Sequence, residues 1–129
     1  MKEQNKKPIP LIRIFTDGAG RRPDGKGSGF AWLRPDNGTR KIIRADGLTN
    51  NQAEYWAILA ALESLPKGAK AEILSDSENT CCQLRGERRV LDPQLAELNQ
   101  KIRTLVEANE LAVAFVWVPR RDNLAGKLL

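Results

Sequence analysis

The chain has 129 residues, 21 basic against 16 acidic with no histidine, a formal net charge of +5, and 41% apolar residues. A chain of about this size buries roughly two thirds of the surface its unfolded form exposes, enough for one packed core. No run approaches the ~18 apolar residues of a membrane span, and residues 2–7 are all polar where an apolar leader would stand, so the cytoplasm is the expected compartment and a membrane role is excluded. Excess positive charge favours phosphate-rich partners without identifying one.

Residues 1–10 are polar, with Pro8 and Pro10, and read as a loose basic arm preceding a single domain over residues 11–129. Leu11 to Asp17 (LIRIFTD) is an apolar run rich in β-formers that ends in Asp-Gly, which predicts a buried strand. A glycine-rich turn follows from Gly18 to Gly27. Ser28 to Arg34 and Thr39 to Ala45 flank Pro35-Asp36-Asn37-Gly38, the chemistry of a hairpin. Three antiparallel strands in succession are the simplest arrangement.

The apolar period then changes. Ala53, Trp56, Ala57, Ala60 and Ala61, with Ile58, Leu59 and Leu62, describe a helix apolar around most of its girth, with Thr49, Asn50 and Asn51 as caps and Pro66 and Gly68 as the stop. Such a helix is buried. Ala71 to Asp76 predicts a fourth strand, and Ser77 to Leu84 a short helix closed by Gly86. Cys81 and Cys82, adjacent on that helix, are poorly placed to bridge and read as buried reduced thiols. Asp92-Pro93 opens a further helix in which Leu95, Leu98, Ile102, Leu105 and Val106 recur at helical spacing, expected to cover one face of the sheet. Ala112 to Val118 is a fifth strand ended by Pro119, and residues 123–129 read as a helix stub. Helices between the later strands imply parallel pairing there, so the class is α/β with a mixed five-stranded sheet, three antiparallel strands and then two parallel.

Three acids stand out by position. Asp17 and Asp76 each close an apolar strand, and Glu54 lies in the first turn of the most apolar helix. Open sheets bind ligands at the carboxyl ends of neighbouring strands, so adjacency would bring the aspartates together. Taken singly they have plain explanations: an Asp-Gly turn for Asp17, a favourable helix-terminus charge for Glu54, an N-cap for Asp76. Converging without a cationic partner, they repel one another unless a cation lies among them. All-oxygen ligands suit Mg²⁺ or Mn²⁺, and zinc lacks histidine or spaced cysteines here.

Ile14-Phe15-Thr16-Asp17-Gly18, Thr49-Asn50-Asn51-Gln52-Ala53-Glu54-Tyr55, Leu74-Ser75-Asp76-Ser77 and Trp117-Val118-Pro119-Arg120 together resemble, in order, the signatures of type 1 ribonuclease H. The resemblance covers nearly the whole chain from Leu11. It implies a ribonuclease H-like fold and an endonuclease that cuts the RNA strand of RNA–DNA hybrids with two Mg²⁺ or Mn²⁺ ions, leaving 5′-phosphate products, in a protein expected to be monomeric. On matching positions it makes Asp17 the ligand of both ions, with Glu54 and Asp76 ligating one each and Glu54 also sensing a ribose 2′-hydroxyl. Asn50 and Asn51 would contact the minor groove of the hybrid and Thr49 a phosphate of the DNA strand, with helix capping as the alternative for Thr49. Gly18 and Ser77, beside two of the acids, complete the expected substrate contacts.

The family's fourth carboxylate has no clean match. Arg121-Asp122-Asn123-Leu124-Ala125-Gly126-Lys127 offers Asn123 by one alignment and Lys127 by another, with Asp122 as a rival. Asn123 is taken as the fourth ligand through its amide oxygen, which brings no charge and so predicts a weaker second ion. The loop histidine and the basic protrusion of some relatives are missing, and Arg85, Arg88 and Arg89 are candidates for part of the latter's role. Residues 20–28 (GRRPDGKGS) nearly spell a phosphate-binding loop, but Gly27 takes the hydroxyl position and a strand follows instead of a helix. Two alternatives remain: a catalytically weak or inactive hybrid-binding module of the same fold, and a nuclease of this fold acting on branched or double-stranded DNA.

Overall fold

A computed structural model describes residues 8–24 and 26–129. The arm read over residues 1–10 lies mostly outside the described residues; Pro8, Ile9 and Pro10 are exposed. Five strands, β1 (Leu11–Ala19), β2 (Gly29–Leu33), β3 (Arg40–Arg44), β4 (Lys70–Ser75) and β5 (Ala112–Trp117), form one sheet in the order β3-β2-β1-β4-β5. Pairs β1/β2 and β2/β3 are antiparallel, and pairs β1/β4 and β4/β5 are parallel. This is the mixed sheet expected from the element order.

Helix α1 (Asn50–Glu63) starts with a capping box, in which Thr49 Oγ1 accepts from Gln52 N–H and Gln52 Oε1 accepts from Thr49 N–H. It lies between the sheet and helix α3 (Pro93–Ala108). That placement explains an apolar girth with no polar face: Ile58 and Leu62 are fully buried, and with Ile14 of β1 and Ile73 of β4 each contributes about 1.5–3 kcal/mol of burial. Helix α3, expected over the sheet, instead packs mainly on α1, because α1 already occupies that face and presents a second apolar side. Asp92 caps α3 by accepting from Gln94 and Leu95 N–H, and Leu95, Leu98 and Ile102 carry its buried stripe. Between β4 and α3 lies the short helix α2 (Glu78–Leu84), whose Cys81 and Cys82 are free and buried.

A polar network crosses this apolar layer. Tyr55 Oη–H donates to Gln83 Oε1 at 2.7 Å, Asn99 Nδ2 donates to Tyr55 Oη at 3.3 Å, and Arg103 Nε donates to Asn99 Oδ1 at 2.7 Å. One residue from each of α1 and α2 and two from α3 are thereby tied at a single point. After β5 the chain makes two short 3-10 segments, Arg120–Asp122 and Leu124–Leu128, where a helix stub was expected. Among the described residues no helix is long and apolar enough to cross a membrane.

Candidate active site

Thr16 of β1 and Ser75 of β4 are the last residues paired in the parallel ladder, and the next residue on each chain is an acid, Asp17 and Asp76. Neighbouring strands lie about 4.8 Å apart, so this register alone sets the two carboxylates side by side. Strand β1 continues on its other edge, where Asp17 pairs with Ala31 and Ala19 with Gly29. Asp17 is therefore held within a strand, where an Asp-Gly turn had been a possible role for it. Ser77, and not Asp76, caps α2 by accepting from Thr80 N–H.

Glu54 arrives from α1. The helix begins at Asn50, so Glu54 stands in its second turn and not, as expected, in its first. Gly18 N–H donates to Glu54 Oε1 at 2.6 Å. The approach of β1 to α1 is close enough to demand glycine, since a Cβ on Gly18 would lie 2.3 Å from the carbonyl carbon of Ala53 and 2.4 Å from the nitrogen of Glu54. Gly20 is confined similarly, with its N–H donating to Asn50 Oδ1 at 2.7 Å.

One carboxylate oxygen from each of Asp17, Glu54 and Asp76 lies within 4.8 Å of the others. Asp17 and Glu54 are buried and Asp76 is half-buried. Among the described residues none of the three joins an ion pair. Burial, with the charge of Asp76 next, pushes Asp17 up to about 6, against the opposing pull of Gly18 N–H and Arg120. Burial and the charges of Asp17 and Asp76 push Glu54 up to about 9. Both shifts mark a site short of positive charge, and a hard divalent cation with water in its remaining positions fits this donor set.

The cluster opens into a polar cleft of about 460 Å³, lined by Gly18, Asn50, Asn51 and Ser77 among others. Four of the five expected substrate contacts thus face one space with the acids, and Thr49 stands one residue outside it. Asn51 is exposed, Asn50 spends its oxygen on Gly20, and the Gly18 N–H is engaged by Glu54. Arg120 also lines the cleft, and its charge reaches both Asp17 and Glu54. Its role was missed in the sequence, although it directly follows Trp117-Val118-Pro119 in the last signature. Arg85 and Arg88 pair with Glu87 and Glu78, and Arg85 Nη1 also donates to the Phe115 carbonyl at 2.8 Å.

Asn123 reaches the cluster with the opposite polarity to that expected. Its Nδ2 donates to the Thr16 carbonyl at 2.9 Å and to Asp76 Oδ2 at 3.1 Å, while its Oδ1 accepts from Ala125 N–H at 3.1 Å. Exchanging oxygen and nitrogen would set the oxygen against two acceptors and the NH₂ against a donor, so the surroundings define the orientation. The expected ligation through its oxygen is not offered here. Asp122, the rival, is exposed and does not line the cleft.

A mixed sheet in this order, with acids gathered where β1 and β4 end, defines a ribonuclease H-like protein. The sequence profile described as RNase H matches residues 10–124, and the chain belongs to the RNase H family. It is similar to ribonuclease H of Caulobacter sp. (strain K31), 40% identical over 70 residues that make up 54% of this chain and 46% of that protein. Ribonuclease H of Methylococcus capsulatus is 37% identical over 70 residues, 54% of this chain and 45% of that protein. The chain spans about half the length of these curated relatives. Among solved structures, RNase H1 of Halobacterium salinarum superposes with a TM-score of 0.78 at 27% identity, covering 93% of this chain and 94% of that one. LC11-RNase H1 in complex with RNA/DNA hybrid also gives 0.78 at 27% identity, covering 92% of each chain.

Proposed function

We propose that this chain is a metal-dependent endonuclease that hydrolyses the RNA strand of RNA–DNA hybrids and leaves 5′-phosphate and 3′-hydroxyl ends. The observation that carries it is the set of three carboxylates within 4.8 Å, with no ion pair among the described residues, at the head of a polar cleft. Two divalent ions, Mg²⁺ or Mn²⁺, would supply an activated water and stabilise the leaving oxygen. Asp17 would hold both, and Glu54 and Asp76 one each. The hybrid seen with LC11-RNase H1, whose fold this chain shares, supports the choice of substrate.

The remaining expected substrate contacts, and Arg120, have definite parts. Asn50 and Asn51 offer amide N–H groups to the minor groove of the hybrid, where Glu54 also stands near a ribose 2′-hydroxyl. Thr49 Oγ1 already accepts from Gln52, which leaves its O–H to donate to a phosphate. Ser77 holds the start of α2 beside Asp76 and presents that turn to the RNA strand. Arg120 supplies the positive charge that draws the backbone into an otherwise acidic cleft.

A binding module without hydrolysis fits the basic charge equally well. It gives no reason to gather three acids that repel phosphate and one another. Labelled RNA–DNA hybrid, double-stranded RNA and double-stranded DNA, incubated with and without Mg²⁺ or Mn²⁺ beside an Asp17→Asn variant, test the assignment. Metal-dependent cleavage confined to the hybrid, and absent in the variant, is the expected result. Parental rates in the variant, or hybrid binding with no cleavage under any metal, would remove it.

A further inference from the structure

Asp76 is the only one of the three acids outside a strand or helix, and the most exposed of them. Asp17 sits within a strand and Glu54 accepts the Gly18 N–H, both buried. Asp76 lies one residue past the end of β4, half-buried, and among the described residues its carboxylate makes a single hydrogen bond, from Asn123 Nδ2. That donor is itself immobilised. Asn123 is 2% exposed, its second N–H goes to the Thr16 carbonyl, and its oxygen starts the 3-10 segment at Ala125.

We propose that Asn123 is a positioning residue that presents Asp76 to a divalent cation by donating its amide N–H, and that it is not a ligand of the ion. The inference rests on the metal-dependent function proposed above and deepens it. A neutral donor suits the task. Lysine or arginine in the same place would neutralise Asp76 and compete with the cation, whereas an amide fixes one carboxylate oxygen and leaves the charge and the other oxygen to the cleft. The same side chain joins the ends of β1 and β4 to the segment carrying Arg120, so the acids and the cleft cation are assembled through one buried group.

A ligand and a donor respond oppositely to Asn123→Asp. A fourth carboxylate ligand would tighten binding of Mn²⁺. A positioning donor lost to a second acceptor, facing both Asp76 and the Thr16 carbonyl, weakens it. Calorimetric titration of the free protein with Mn²⁺ reads this without hydrolysis. About tenfold weaker binding is expected for Asn123→Asp and for Asn123→Ala, with KM for hybrid at saturating Mn²⁺ unchanged, since the amide acts on Asp76 and not on the substrate. Tighter binding by Asn123→Asp than by the parent overturns the proposal. If the aspartate variant does not fold, Asn123→Ala decides: affinity within about twofold of the parent overturns the proposal, and a tenfold loss at unchanged KM upholds it. Absence of Mn²⁺ binding in the parent protein would instead remove the metal-dependent function itself, a distinguishable outcome.

Discussion

Gly18 and Glu54 are joined by a 2.6 Å hydrogen bond from the backbone of β1 to the side chain of α1, at a point where the two elements nearly touch. The contact sets how far Glu54 stands from Asp17, and it exists only because residue 18 has no side chain. In Gly18→Ala the added methyl group would have to displace the backbone at Ala53 and Glu54. A destabilisation of about 1–3 kcal/mol is expected in urea unfolding. Hydrolysis should fall further than stability explains, because Glu54 moves out of the cluster; a variant with parental kcat would contradict this.

Without metal, the protein should lose stability as pH rises. Asp17 at about 6 and Glu54 at about 9 lie above their values of 3.8 and 4.5 in an open chain, so the folded state retains protons that the unfolded state has released. Stability is fullest near pH 4 and declines through pH 6 to 9. Thermal melts across this range in a chelator should show the decline, and Mn²⁺ should reverse most of it at the alkaline end. Asp17→Asn should raise stability at pH 8 by on the order of 1–3 kcal/mol, by removing a buried charge that repels Asp76. A flat melting profile would deny the electrostatic account of the cluster.

Metal binding and proton release should be linked for the same reason. At pH 7.5 Glu54 is largely protonated, and a cation that takes its carboxylate displaces about one proton per protein. Titrations in buffers of different ionisation enthalpy measure that number directly. A value near zero would mean that Glu54 stays outside the coordination shell.

Arg120→Ala should raise KM for the hybrid and lessen the dependence of binding on salt by about one in the log–log slope, if the guanidinium meets a phosphate. The same change removes the cation that holds Asp17 and Glu54 down, so both should titrate higher still. Nitrogen-labelled or carboxyl-carbon spectra of the metal-free protein would follow the second effect independently of substrate.

Tyr55→Phe should cost about 1–3 kcal/mol, because it strands Gln83 Oε1 and weakens the link between α1, α2 and α3. Mn²⁺ affinity should stay within about twofold of the parent, as none of Tyr55, Gln83, Asn99 and Arg103 lines the cleft. A large loss of metal affinity would show that helix packing and ion binding are not separable here.

Strand and helix periods, hairpin residues and caps marked nearly every element, because those signals act over a few neighbouring residues. Asp17, Glu54 and Asp76 stood out by the same local logic, each at the edge of an apolar run. Which side of α1 would receive α3 was not legible, because a helix apolar all round presents no preferred face until its partners are chosen. The last signature included Arg120 but gave it no role; that the turn after β5 aims it, and not Arg121, into the cleft came only with the tertiary structure. For Asn123 the residue type left its polarity open, since an amide can donate or accept. The partners that decide it, Thr16 and Asp76, lie 107 and 47 residues away in the chain and meet it only when β1, β4 and the final segment pack together.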